Sequence, residues 1–220
     1  MPDESPFKPS FFEREDASSD PMFYVVPRLL VHIDDGAIAA ARALYGELIP
    51  AGSAVLDLMS SYRSHMPEEL RPSRLAGLGL NDVEMRENDQ LTEHVVHDVN
   101  AQPRLPFGDA EFDAAVVTVS VQYLTRPVEV FRDVARVLKT DAPFIITYSN
   151  RMFPTKAVRI WRALDDRERA VLIRAYFRES GCFGEVTAED RSTPGGDPLY
   201  GVWARRLPDD DSVAEGTDSV

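Results

Sequence analysis

Asp57, Ser60 and His65 fall within nine residues and carry the side chains of a hydrolytic triad, so serine-based acyl transfer is the first chemistry to weigh. The spacing speaks against it. A nucleophile at a strand-to-helix turn needs the Gly-x-Ser-x-Gly bend, and both flanking glycines are absent here. Triad partners also come from separate loops rather than one short stretch. His94 and His97, three apart in an apolar run, point to opposite faces of a strand and cannot share a metal. Cys182 is alone, which excludes an intrachain disulfide and a cysteine-rich zinc site. His32, beside Asp34 and Asp35, is a candidate base over a pocket. Asn150 and Arg151 are candidate substrate contacts, with Arg151 able to grip a carboxylate through two parallel bonds.

These groups need a scaffold, and the pattern supplies one. Val55 to Leu58 reads as a buried strand that turns through Met59, Ser60 and Ser61. That order opens a ligand pocket at the carboxyl end of the first strand of an α/β sheet. Before it, Asp34 or Asp35 caps a helix with Ile38, Ala41, Tyr45 and Leu48 on one face, ending at Pro50. Leu75 to Leu80, Glu93 to His97, Phe112 to Val119 and Phe144 to Tyr148 read as further strands. A short helix is expected around 67–73, and Asn81 with Glu84 resembles a capping box. Pro127 opens a helix striped by Val128, Phe131, Val134, Ala135 and Leu138. Two more helices are expected, one from Thr155 and one from Asp165 or Asp166 to Gly181. Phe183 to Val186 and Leu199 to Ala204 read as closing strands around the turn at 194–196. Strands alternating with helices predict a seven-stranded, mostly parallel sheet, helices on both faces and an antiparallel C-terminal pair.

The 220 residues suffice for one domain, placed at 21–206, with acidic, solvated tails over 1–20 and 207–220. Those tails hold most of the net charge of −13. No basic stripe with interleaved aromatic residues suggests a nucleic-acid backbone as partner. No apolar run is long enough to span a bilayer and the N-terminus lacks a basic-then-apolar leader, so a cytoplasmic protein is expected.

Three segments resemble the class I S-adenosylmethionine-dependent methyltransferase family, in its small-molecule branch. Val55-Leu-Asp-Leu58 is similar to the family's first strand with its acid. His97-Asp98, followed by Leu105-Pro-Phe-Gly-Asp-Ala-Glu-Phe-Asp-Ala-Ala-Val-Val117, is similar to the stretch from the adenine-binding acid into strand four. Arg136-Val-Leu-Lys139 is similar to the segment before strand five. The resemblance covers roughly 50–150 and implies a Rossmann-like fold, S-adenosyl-L-methionine as cofactor and methyl transfer to a small-molecule acceptor. It implies cofactor contacts at Asp57, Met59, Ser60, Ser61, Asn81, Asp98, Val99 and Asn100, and places Tyr123, after strand four, on the substrate side as a contact and a candidate base beside His32. The family's turn is an acid-x-Gly-x-Gly-x-Gly pattern, and the glycine positions here hold Met59, Ser61 and Arg63; Gly79 stands where a ribose-binding carboxylate is expected. Positive φ is disfavoured at Met59 and Arg63. Two readings follow: altered cofactor contacts through Ser60, Ser61 and Asn81, or a non-catalytic binding or regulatory protein on the same scaffold.

Overall fold

The computed structural model describes residues 6–209. Its elements are α1 (Asp20–Phe23), α2 (Asp35–Leu48), β1 (Ala54–Leu58), β2 (Arg74–Gly79), α3 (Asp82–Arg86), β3 (Glu93–Val96), β4 (Ala114–Thr118), α4 (Pro127–Val137), β5 (Pro143–Tyr148), α5 (Arg159–Ala163), α6 (Asp166–Ser180), β6 (Thr187–Asp190) and β7 (Tyr200–Arg205). The strands form one seven-stranded sheet in the order β3-β2-β1-β4-β5-β7-β6. The first five are mutually parallel, and β7 runs antiparallel to both β5 and β6.

Burial explains the run-like composition of the central strands. Val55, Leu56, Leu58 and all of Ala114 to Val117 are inaccessible to solvent because helices cover both faces. On one face Leu56, Leu58, Phe131, Phe144 and Phe177 build a core with α4 and α6. On the other, Val55, Leu75, Val116 and Ile145 pack with Ala41, Leu44 and Tyr45 of α2. Asp34 caps α2 by accepting from the Ala37 amide, and Asp165 with Glu168 forms a complete capping box on α6.

Four expectations change in detail. The helix expected from Thr155 begins at Arg159, because the Val158 amide donates to Gln122 and the Arg159 amide to Glu13, across the fold rather than along a helix. The closing strand lies at Thr187–Asp190 and not at 183–186: Phe183 makes a single bridge to Arg206 and puts its ring among Phe144 and Phe177. The helix around 67–73 is one tight turn, Glu68–Leu70, stopped by left-handed Arg71 (φ 42°) before Pro72. Residues 6–20, within the stretch expected as a tail, lie against the body: Phe7 meets Phe12 and Tyr176, and Asp20 is buried. Residues 1–5 and 210–220 of the expected tails lie outside the described residues. Among the described residues no helix is long and apolar enough to cross a membrane.

Candidate active site

The strand order reverses between β1 and β4, and at their carboxyl ends lies a cavity of about 380 Å³. Its floor is the turn Met59–Ser61 and the residues Thr118–Ser120. One wall is formed by Gly79, Asn81 and Glu84, another by Asp98–Asn100, and a third by Tyr123 with Arg151–Phe153. A strap of chain from Asp20 to His32 completes the lining with Asp20, Tyr24, Arg28 and His32.

The turn keeps a glycine-type conformation without glycine. Met59 adopts φ 59°, whereas Arg63 is not among the residues with positive φ. The Ser60 amide then donates to Leu78 O at 2.8 Å, drawing the turn against β2. That closeness explains Gly79: a Cβ there would strike the Ser60 carbonyl oxygen, so no acid can occupy this position. Ser60 Oγ and Ser64 Oγ both donate to Asp57 Oδ2, at 2.6 and 2.7 Å. Burial pushes the Asp57 carboxyl up to about 6, although both hydroxyls favour its ionised form. Asp57 therefore braces the turn from behind and faces a side recess, which shares Ser60 and Ser61 with the main cavity. Arg63 leaves the cavity free: it stacks on Tyr62, its guanidinium carbon 3.7 Å from the ring centre, and donates to Glu87 O at 2.8 Å.

On the second wall Asn81 caps α3 by accepting from the Val83 and Glu84 amides, and donates to Tyr24 O at 2.7 Å. Glu84 does not complete a capping box. Its buried carboxylate instead accepts from Ser61 Oγ at 2.5 Å and from the Arg28 amide at 2.7 Å, joining turn, helix and strap. Asp98 Oδ1 accepts from the Asn100 and Ala101 amides, while Oδ2 has no hydrogen bond among the described residues and lies at the cavity edge. Val99 is 4% exposed. Asn100 spends its side chain on Asp20, Tyr123 O and Thr125.

The strap is anchored by charge. Asp20 is 4% exposed and pairs with Arg14 at 2.7 Å and with the fully buried Lys156 at 3.4 Å. His32 lines the cavity in a T-shaped contact with Phe153, and burial lowers its pKa, with Glu84 opposing and Arg28 adding to the shift. Tyr123 accepts from the Phe153 amide at 2.8 Å, and burial pushes its phenol up from the usual tyrosine range. Arg151 lines the cavity but leans on Asp197 at 3.6 Å; Asn150 is exposed and outside the lining. His94 pairs with Asp82 and His97 bonds Gln102 O, away from one another.

The strap residues Asp20, Tyr24 and Arg28, together with Ser120, do not stand out in the sequence. The only signal is negative: residues 22–33 are apolar but broken by Pro27, and follow neither a helical nor a strand period. Two buried groups of the cavity, Arg28 Nη1 and Ser120 Oγ, lack partners among the described residues. With the open oxygen of Asp98, the walls thus present a cationic donor, a hydroxyl and an anionic acceptor around an aromatic lining. This donor set fits an adenosyl amino acid, which carries amino, hydroxyl and carboxylate groups for such partners.

Residues 68–146 match the family described as "Methyltransferase domain", a span from the approach to β2 through most of β5. None of the curated proteins matches the chain. Among solved structures, a methyltransferase from Aquifex aeolicus that depends on S-adenosylmethionine is 14% identical, with TM-score 0.57, covering 78% of this chain and 92% of that one. A complex from Haloferax volcanii, between the Trm112 methyltransferase activator and a methyltransferase, is 16% identical at TM-score 0.60, covering 79% and 92%. The [4+2]-cyclase SpnF is 15% identical at TM-score 0.50, covering 76% and 80%. The strand order with its antiparallel end is the fold of these solved structures, and within it residues 68–146 carry the match to the methyltransferase domain family.

Proposed function

We propose that the enzyme transfers the methyl group of S-adenosylmethionine to a small molecule held in the strap-lined cavity. The observation that carries this reading is the strap-lined cavity. The strap from Asp20 to His32, pinned by Arg14 and Lys156, contributes to the lining of a pocket of about 380 Å³ at the carboxyl edge of the sheet. A concave, largely aromatic pocket of that size suits a small-molecule ligand.

When bound, the cofactor supplies a methyl group on an electrophilic sulfonium. The chain's contribution is positioning. Asp98 and Val99 orient the nucleoside, and the Met59–Ser61 turn, braced by Asp57 and Glu84, limits the other end. Tyr123, Phe153 and His32 surround the space left for the acceptor. His32, its pKa lowered by burial at the cavity wall, accepts the proton of an acceptor that must lose one. We place this activity in the cytoplasm, in keeping with a chain that has one cysteine.

The test is a screen of small-molecule acceptors with S-adenosylmethionine, reading release of S-adenosylhomocysteine. Turnover that requires a small molecule supports the reading. Turnover supported only by a protein or nucleic acid contradicts it, and would favour a macromolecular acceptor.

A further inference from the structure

Arg28 stands apart from the other cations around the cavity. Arg14 and Lys156 share Asp20, and Arg151 leans on Asp197. Arg28 takes part in no ion pair among the described residues, and its Nη1 is buried without an acceptor there. Its backbone amide donates to Glu84 at 2.7 Å and its Nη2 donates to Phe23 O at 3.2 Å, so main chain and guanidinium are each tied once. Three rings surround it: its central carbon lies 4.9 Å from the ring centre of Phe23, 5.2 Å from Phe153 and 5.6 Å from Tyr24. Ring faces attract the cation but leave its in-plane N–H groups unsatisfied. A half-buried guanidinium with one N–H nitrogen shut off from solvent in that state is costly unless something else supplies the acceptor.

The geometry points to Arg28 as a carboxylate-recognition residue of the cavity. A planar fork held by aromatic faces matches a carboxylate. The remaining wall favours a singly charged anion over a phosphate, because Glu84 and Asp98 stand around the same cavity and repel a second charge. Two ligands of the proposed reaction can bring that carboxylate: the methionine end of the cofactor, or the acceptor. The aromatic lining of Tyr24, Tyr123 and Phe153 makes an aromatic acid the apt probe for the second. This assignment rests on reading the cavity as the site of methyl transfer.

Calorimetry on the full chain separates the sources. S-adenosylhomocysteine is compared with its decarboxylated analogue, and benzoate with benzamide in the presence of saturating S-adenosylhomocysteine. Each comparison uses the wild type, Arg28→Gln and Arg28→Lys. A preference of about tenfold or more for one acid over its neutral counterpart, lost in Arg28→Gln and partly kept in Arg28→Lys, upholds the assignment and names the source. The wild-type comparisons stand even where Arg28→Gln fails to fold. The assignment is overturned if neither acid is preferred, or if the preference survives in Arg28→Gln. Binding of the decarboxylated analogue reports the nucleoside pocket by itself, so failure of the methyltransferase reading appears as loss of that binding and is distinct from failure of the Arg28 assignment.

Discussion

Replacing Asp57 with asparagine isolates the brace behind the Met59–Ser61 turn. In the folded chain burial lifts this carboxyl from 3.8 to about 6, so the native state binds a proton that the unfolded chain has already released over that interval. Stability from this group is therefore fully present below about pH 4 and is lost as pH rises through 6. At roughly 1.4 kcal/mol for each tenfold difference in proton affinity between the folded and unfolded chain, the loss between pH 4 and pH 7.5 comes to about 2 to 3 kcal/mol. Asparagine keeps an oxygen where Asp57 Oδ2 accepts from Ser60 and Ser64, but it does not titrate. Urea denaturation of wild type and Asp57→Asn, followed from pH 4 to 7.5, checks this. The difference in stability between the two should move by about 2 to 3 kcal/mol in favour of the variant as pH rises. Parallel curves, or a difference of the opposite sign, would refute the view that Asp57 is a buried acid bracing the turn.

Other sites give independent readings. Asp98→Ala should weaken S-adenosylhomocysteine by about 1 to 3 kcal/mol in calorimetry, as expected for loss of one hydrogen bond to the adenine amino group; an unchanged affinity removes Asp98 from the site. Gly79→Ala drives a methyl group into the Ser60 carbonyl and should cost about 3 kcal/mol in urea melts, with a loosened turn; a neutral effect would contradict the packing of turn on strand. Lys156→Met should cost about 3 kcal/mol and expose the strap to limited proteolysis near Asp20, since it strips a buried partner from Asp16, Ser18 and Asp20. Wild-type resistance to cleavage in that variant would show that the strap is anchored elsewhere.

Much of the architecture could be read from the chain because its signals are local. Unbroken apolar runs such as Ala114 to Val117, caps such as Asp34 and Asp165, and Pro127 at the start of α4 each act within a few residues. The pocket's position follows from the strand that ends at Leu58. What stayed hidden depends on contacts distant in sequence. Arg28 acquires its aromatic enclosure from Phe153, and Asp20 its cation from Lys156, each more than a hundred residues away along the chain. Glu84 has the spacing of a capping partner, yet its carboxylate goes to Ser61 and Arg28, a choice that tertiary packing makes. Met59 accepts the left-handed conformation that sequence reasoning disfavours, because the bond from the Ser60 amide to Leu78 O holds the turn on β2. Thus the missing glycines alter the contacts of the turn without filling the cavity.

The central claim is that this glycine-poor turn still admits the adenosyl cofactor, and a crystal structure grown with S-adenosylhomocysteine tests it most directly. The account predicts the adenine beside Asp98 and Val99, with the rest of the molecule running past Ser60 and Ser61 beside the strap. A crystal soaked at millimolar concentration with no ligand in the cavity, or with the ligand bound elsewhere, would contradict it.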